Sequence, residues 1–453
     1  MDSGVRGDAT GRSGLQVLYA NLVSDLAVDL DEREVLGAWA EQAPREVWLL
    51  RPGDVLVTPV PVGEAFLAYA CALTGVPRES VTVLHLPEAF VSAGARGPHR
   101  AAVEAVRGAS AGRSVAAVLP TALDTAAVGL ARGLGVPVAP YASAEAAAAA
   151  LEVTRLLNTK AGFRRVAGAL GMRLPDGRVS RRAGVASAVG ELLGSHGRVV
   201  VKPDRSAGGH GLLFLPTAAP WVPGDLPPVG GTEGLWVVEE RIEVTRSVSI
   251  QMETGPAGTR PLFSGEMRTV DGCFTGYLSP LTSGAEIGAT LESWGCALGR
   301  FLAEHGYAGP FAIDAMVSAD GEVFAGESNV RRTATTTPHA MAARLTAGSG
   351  AGAGTRAGAG TRAGAGVGAG PGSPSWATGR LRAPAPYSFG FGEAVERLRT
   401  GRIAFDPARG EGVVLYAGAP PDGLTWRYAV IAENRAGVAR YEELLRSAWS
   451  GVP

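Results

Sequence analysis

The stretch Val199-Val-Val-Lys-Pro-Asp-Arg-Ser-Ala-Gly-Gly-His-Gly-Leu-Leu-Phe-Leu215 decides how the chain is read. A β-branched run ends in Lys202 and Pro203, a glycine-rich loop follows, and a second apolar run closes the segment; this order predicts a β-hairpin. Such a hairpin sets Lys202 at a strand end and lays the backbone N–H groups of Ser206 to Gly211 where they can cradle a polyphosphate. Glycine at 208, 209 and 211 suits that task, because a Cβ would hold the main chain away from phosphate oxygens. Taken alone, the stretch suits an ordinary hairpin with a long glycine turn almost as well. It is not a G-x-x-x-x-G-K-[ST] loop, since here the lysine precedes the glycines.

A second hairpin lies downstream, in Phe311-Ala-Ile-Asp314-Ala-Met-Val-Ser-Ala-Asp-Gly-Glu-Val-Phe-Ala-Gly-Glu327-Ser-Asn329-Val-Arg331. Asp320-Gly321 is a turn dipeptide, and the flanking runs read as strands. Glu327 and Asn329 alternate onto one face of the return strand, and Asp314 stands opposite them at an equivalent distance from the turn. Three hard oxygen donors so placed suit Mg²⁺ bridging nucleotide phosphates. Exposed polar residues on a plain hairpin are the competing interpretation.

Together the two hairpins resemble the ATP-grasp superfamily. Lys160 in Leu-Asn-Thr-Lys-Ala-Gly-Phe matches its first lysine, Lys202 its second, and Trp236-Val-Val-Glu239-Glu240-Arg-Ile242-Glu243 its adenine linker. Asp314, Glu327 and Asn329 match its metal set. The resemblance implies ATP and two Mg²⁺ ions as cofactors. It further implies adenine held by main-chain groups of the 237–242 linker, with Glu243 or Glu240 at the ribose. Two departures stand out. Arg246 occupies the position expected of a ribose-binding glutamate, and Ala312 stands where related ligases carry an arginine. A cation for an acyl phosphate would then come from Arg268 or Arg331.

At 453 residues the chain has room for two to four domains, and its net charge of −1 gives no reason to expect nucleic-acid or anionic-membrane binding. Cys71, Cys273 and Cys296 show no metal or redox spacing, which fits a reducing compartment. No apolar run reaches the roughly 18 residues of a membrane span, and the start lacks an apolar signal core. A cytoplasmic enzyme acting on small-molecule or peptide carboxylates and amines is the expectation, with homo-oligomerisation open.

Residues 1–13 are predicted disordered. Residues 14–142 alternate short strands (Leu15–Ala20, Val47–Leu50, Val55–Thr58, Val81–Leu86, Ala116–Leu119, Val136–Ala139) with helices, the pattern of a Rossmann-like, mostly parallel sheet. This part is similar to a pre-ATP-grasp domain. The core is expected over 143–346, opening on one helix from Ser143 to Leu157 with Lys160 just beyond it. A glycine/alanine-rich insert fills 347–375, and a small, separate α+β domain ends the chain at 376–453. The α/β and α+β order, with the tail Pro386-Tyr-Ser-Phe-Gly-Phe, resembles actinobacterial peptide ligases of the pheganomycin type. That resemblance implies amide formation through an acyl phosphate. An ATP-binding scaffold without turnover is the alternative, and no nucleophilic motif argues for other chemistry.

Overall fold

A computed structural model describes residues 14–24, 26, 33–90, 98–206, 208–216, 222, 224, 226, 234–282, 284–347, 374–383 and 388–450. The expectations for residues 1–13 and for 348–373 of the insert lie outside the described residues.

The first domain is a parallel four-stranded sheet in the order β3-β2-β1-β4, built from β1 (Leu15–Tyr19), β2 (Val55–Thr58), β3 (Thr82–His85) and β4 (Val115–Pro120). Its helices are α1 (Arg33–Ala40), α2 (Glu64–Thr74), α3 (Pro98–Ser110) and α4 (Thr125–Leu134). Asp124 caps α4 by accepting from the Ala127 N–H at 2.8 Å. Two expected strands are absent. Val47–Leu49 ends a 3₁₀ helix, Ala43–Leu49, with Leu50 just beyond it, and its buried Trp48 donates the indole N–H to the Tyr416 carbonyl. A short apolar run does not by itself distinguish strand from buried helix, and burial among the C-terminal residues decides here. Val136–Ala139 makes only an isolated bridge, Val118 to Val138, because Pro137 and Pro140 offer no N–H for a ladder.

The expected single helix from Ser143 is two, α5 (Ala144–Ala149) and α6 (Leu151–Leu157). The Ala150 N–H bonds back to Ala147, one residue short of the α-helical partner, which tightens the turn there. Next comes α7 (Lys160–Ala169), capped by Thr159, so Lys160 opens a helix instead of trailing one.

A second, antiparallel sheet in the order β5-β8-β6-β7 joins β5 (Gly177–Arg181), β6 (Val199–Pro203), β7 (Leu213–Leu215) and β8 (Leu235–Glu240). The predicted glycine hairpin is β6–β7. Helix α8 (Val185–His196) covers this sheet, and Val189, Leu192, Val201 and Trp236 form a small core of its own.

The third sheet has eight antiparallel strands in the order β13-β12-β9-β10-β11-β14-β16-β15. They are β9 (Val244–Gly255), β10 (Gly258–Val270), β11 (Cys273–Ser279), β12 (Gly309–Ser318), β13 (Val323–Asn329), β14 (Ser375–Arg382), β15 (Gly412–Leu415) and β16 (Thr425–Ala432). Helices α9 (Ala285–Glu304), α10 (Thr336–Thr346), α11 (Phe391–Thr400) and α12 (Arg435–Ser450) complete the chain. The C-terminal segment does not stand apart. Its strand β14 hydrogen-bonds to β11 from Tyr277↔Thr378 to Ser279↔Trp376 and so extends the core's own sheet.

Alternation in the first sheet binds the whole together. Leu18 and Leu56 pack into one hydrophobic core with Phe263, Trp376, Trp426 and Trp449, while Val17, Val55 and Val57 pack into another with Val248, Leu291 and Phe311. Strands β1 and β2 are thus buried on both faces, as parallel strands usually are. Among the described residues no helix is long and apolar enough to cross a membrane.

Candidate active site

The two hairpins face one another across a cavity of about 480 Å³, a size suited to a small-molecule ligand. Lys160, Lys202, Ser206, Gly208, Gly209, Asp314, Glu327, Asn329 and Arg331 all line it.

Strands β12 and β13 pair so that Asp314 faces Glu327 directly and Ala312 faces Asn329. The Asn329 amide donates to Asp314 Oδ2 at 2.9 Å. Burial, reinforced by the Glu327 charge, pushes the Asp314 carboxyl up to about 7. Burial also opposes ionisation of Glu327, yet the Lys160, Arg331 and Lys202 cations hold its carboxyl below the usual range. Two adjacent carboxyls enclosed by protein repel when both are ionised, and a divalent cation between them relieves that repulsion. The donor set therefore fits Mg²⁺. Among the described residues no group of three His, Cys, Asp or Glu side chains is placed to hold a metal.

Lys160 crosses from α7 to both hairpins. Its Nζ lies 3.2 Å from Glu327 Oε2 and donates to the Ser206 carbonyl at 2.8 Å and to Ser206 Oγ at 3.1 Å. Lys202 Nζ is 2.5 Å from Glu239 Oε2, and the other oxygen of Glu239 is 2.9 Å from Arg164 Nη1. The Glu239 side chain is thus buried between two cations.

The glycine loop rests on the β10–β11 turn. Gly208, Gly209 and Gly211 have φ of 66°, 83° and 75°, and the Gly208 carbonyl accepts from the Phe274 N–H at 3.2 Å. A Cβ on Gly209 would stand 2.0 Å from the Gly272 carbonyl oxygen, so only glycine permits this approach.

Other expected residues lie elsewhere. Arg268 does not line the cavity. Its neighbours Met267 and Thr269 do, and strand alternation turns Arg268 to the opposite face, where it forms a bidentate pair with Glu442 at 2.5 and 3.0 Å. Of the two candidate cations for a transferred phosphate, only Arg331 is in place, hydrogen-bonded to Asn158 Oδ1. Glu240 accepts from the Asp176 N–H at 2.8 Å, while Glu243 is exposed and 3.6 Å from Arg198. Neither they nor Glu239, Ile242 or Gly211 line the cavity.

Several cavity residues escaped the sequence reading. Ser247, Ser249 and Gln251 line it, while Val248, Ile250 and Met252 between them are fully buried. That strict alternation along β9 was a legible sign of a strand with one polar, ligand-facing side. Thr333 Oγ1 donates to Gln251 Oε1, and Gln251 Nε2 donates to Ser249 Oγ. From the first domain come Trp39, Gln42 and Arg45, which no local pattern distinguishes from core residues. His339 stacks on Phe263 at 4.1 Å, which makes it a packing residue.

Among solved structures, the chain is similar to N5-carboxyaminoimidazole ribonucleotide synthetase from Thermus thermophilus, at 15% identity and TM-score 0.56, covering 97% of this chain and 99% of that one. It is similar also to carboxyaminoimidazole ribonucleotide synthase from Aspergillus clavatus complexed with ATP, at 11% identity and TM-score 0.52, covering 96% and 98%. Rhizobium etli pyruvate carboxylase matches at 15% identity and TM-score 0.55, over 96% of this chain and 37% of that one. Residues 43–136 match the family model described as "Pre ATP-grasp domain". The fold is therefore an ATP-grasp fold preceded by a pre-ATP-grasp domain. More particularly, residues 393–445 match the model described as "PGM1 C-terminal domain". No curated protein matches the sequence.

Proposed function

We propose that this chain is an ATP-dependent carboxylate–amine ligase that forms an amide through an acyl phosphate. We further propose that it joins an amino acid to a peptide or a second amino acid in secondary metabolism. The observation that carries the reading is the convergence of Lys160, Lys202, Asp314, Glu327, Asn329 and Arg331 on one cavity. The matched C-terminal segment and its resemblance to pheganomycin-type ligases support the narrower substrate class.

Asp314, Glu327 and Asn329 would hold Mg²⁺, which when bound neutralises charge on the nucleotide phosphates. Lys160, Lys202 and the Ser206–Gly211 loop supply cations and backbone donors to those phosphates. Arg331 stands beside Glu327 to stabilise charge on the transferred group. A substrate carboxylate oxygen attacks the γ-phosphorus and expels ADP; an amine nitrogen then attacks the acyl carbon, phosphate leaves, and the nitrogen loses a proton. Positioning and charge neutralisation suffice, and no side chain acts as nucleophile.

The rival is a nucleotide-binding scaffold without turnover, motivated by Ala312 and Arg246. The intact set of Lys160, Lys202, Asp314, Glu327 and Asn329 on one cavity weighs against it. ADP formation with Mg²⁺ and pools of amino acids and short peptides, with products read by mass spectrometry, tests the proposal. A condensed-mass product absent with Glu327→Ala supports it. Tight nucleotide binding with no ADP from any pool sinks it in favour of the scaffold.

A further inference from the structure

The same cavity is also lined by residues of the first domain and of the segment that follows β13. Arg45 lines it and is only 1% exposed. Its hydrogen bonds are long: Nη1 to Gln42 Oε1 at 3.4 Å and Nη2 to the Thr333 carbonyl at 3.3 Å. Its Nε has no hydrogen-bond partner and stands 3.6 Å from Glu46 Oε1, an oxygen that already accepts from Thr337 Oγ1 at 2.8 Å. A guanidinium offers five N–H donors, and burying it with most of them idle is costly.

Arg332 lines the same cavity, and its Nε is likewise buried without a partner. Since Arg45 bonds the carbonyl of Thr333, the residue next to Arg332, the two backbone segments meet here. The Thr333 and Thr335 hydroxyls and Gln251 add polar atoms to the wall. On the proposed reading, nucleotide phosphates already have Lys160, Lys202 and the glycine loop.

We propose that Arg45 and Arg332 form an oxyanion site for a second substrate, one that carries a carboxylate or phosphate group in addition to the group that reacts. A planar fork of donors matches either anion. Because Arg45 comes from the first domain and Arg332 from the core, the site exists only where the two pack together. The inference rests on the ligase reading for the word substrate, but not for the binding of the anion.

The test uses the full chain saturated with Mg²⁺ and a non-hydrolysable ATP analogue, so that the nucleotide phosphate site is filled. Trifluoroacetate and monofluorophosphate, as carboxylate and phosphate probes, are titrated at constant ionic strength and followed by ¹⁹F NMR. Saturable binding of either probe, weakened at least tenfold in Arg332→Gln and in Arg45→Lys, supports the site, and the tighter probe identifies the group. Arg332→Gln stands alone if melting shows that the buried Arg45 variant does not fold. No saturable binding, or equal binding in wild type and Arg332→Gln, overturns it. ADP formation is measured separately: arginine-dependent anion binding without turnover would defeat the ligase reading and leave this site, whereas turnover without such binding would do the reverse.

Discussion

Lys160 Nζ lies 3.2 Å from Glu327 Oε2 and also holds Ser206 of the glycine loop. One cation from α7 therefore ties the glycine loop to β13 through Ser206 and Glu327, which lie more than a hundred residues apart in sequence.

Removing that cation is expected to hurt twice. Lys160→Met leaves burial to raise the Glu327 carboxyl unopposed by its nearest positive charge, and it frees the Ser206 end of the loop. Turnover per unit of ATP, measured as kcat/KM, should fall on the order of 100-fold. Lys202→Ala should mainly raise KM for ATP, because Lys202 pairs directly with Glu239 and acts on Glu327 only as a weaker charge than Lys160.

Gly209→Ala tests the seating of the loop. A φ of 83° and a carbonyl 2.0 Å from the new Cβ leave no room for the substitution. The KM for ATP should rise about tenfold or more, the equivalent of about 1.4 kcal/mol, with the melting temperature nearly unchanged. A wild-type KM would show that the loop does not need this contact.

The Arg268–Glu442 pair is expected to be structural. It joins β10 to α12, and Tyr428 also donates to Glu442 at 3.0 Å. Glu442→Ala should lower unfolding stability by about 2 kcal/mol, a figure reduced for the one-third exposure of Arg268. The Arg268→Met/Glu442→Leu double variant should recover much of this, since neither charge is then left unpaired. Urea denaturation gives both values. Loss of turnover in a folded double variant would restore Arg268 to the chemistry.

His339 predicts an acid-linked loss of stability. Burial against Phe263 lowers its imidazole to about 4, whereas an unfolded histidine titrates near about 6.5. Between those values the unfolded chain binds a proton that the folded chain refuses, so stability falls as pH falls from 6.5 towards 4. The contribution is full above 6.5. His339→Phe should flatten this part of the stability–pH curve by on the order of 2 kcal/mol, as read from denaturation midpoints across that range.

The β6–β7 and β12–β13 hairpins were legible because each is local: a glycine loop between apolar runs, and oxygen-bearing side chains in register across a tight turn. Alternation in β9 is equally local. The departures arose where one apolar run fits two elements. Val47–Leu50 reads as a strand until Trp48 is seen buried against Tyr416. Arg268 failed for another reason: composition places a cation on β10, but which face it occupies depends on register with β9 and β11.

Sequence by itself thus determined the two hairpins, the residue types they carry and the alternating first domain, since those follow from periodicity and turn residues within a few positions. Tertiary structure alone decided three other things: that β14 continues the core's sheet, that Arg268 turns away from the cavity, and that Arg45 reaches Thr333 from the first domain. Each depends on pairing between segments distant in the chain. There the free energy lies in burial and hydrogen bonds between elements, and no local pattern records it.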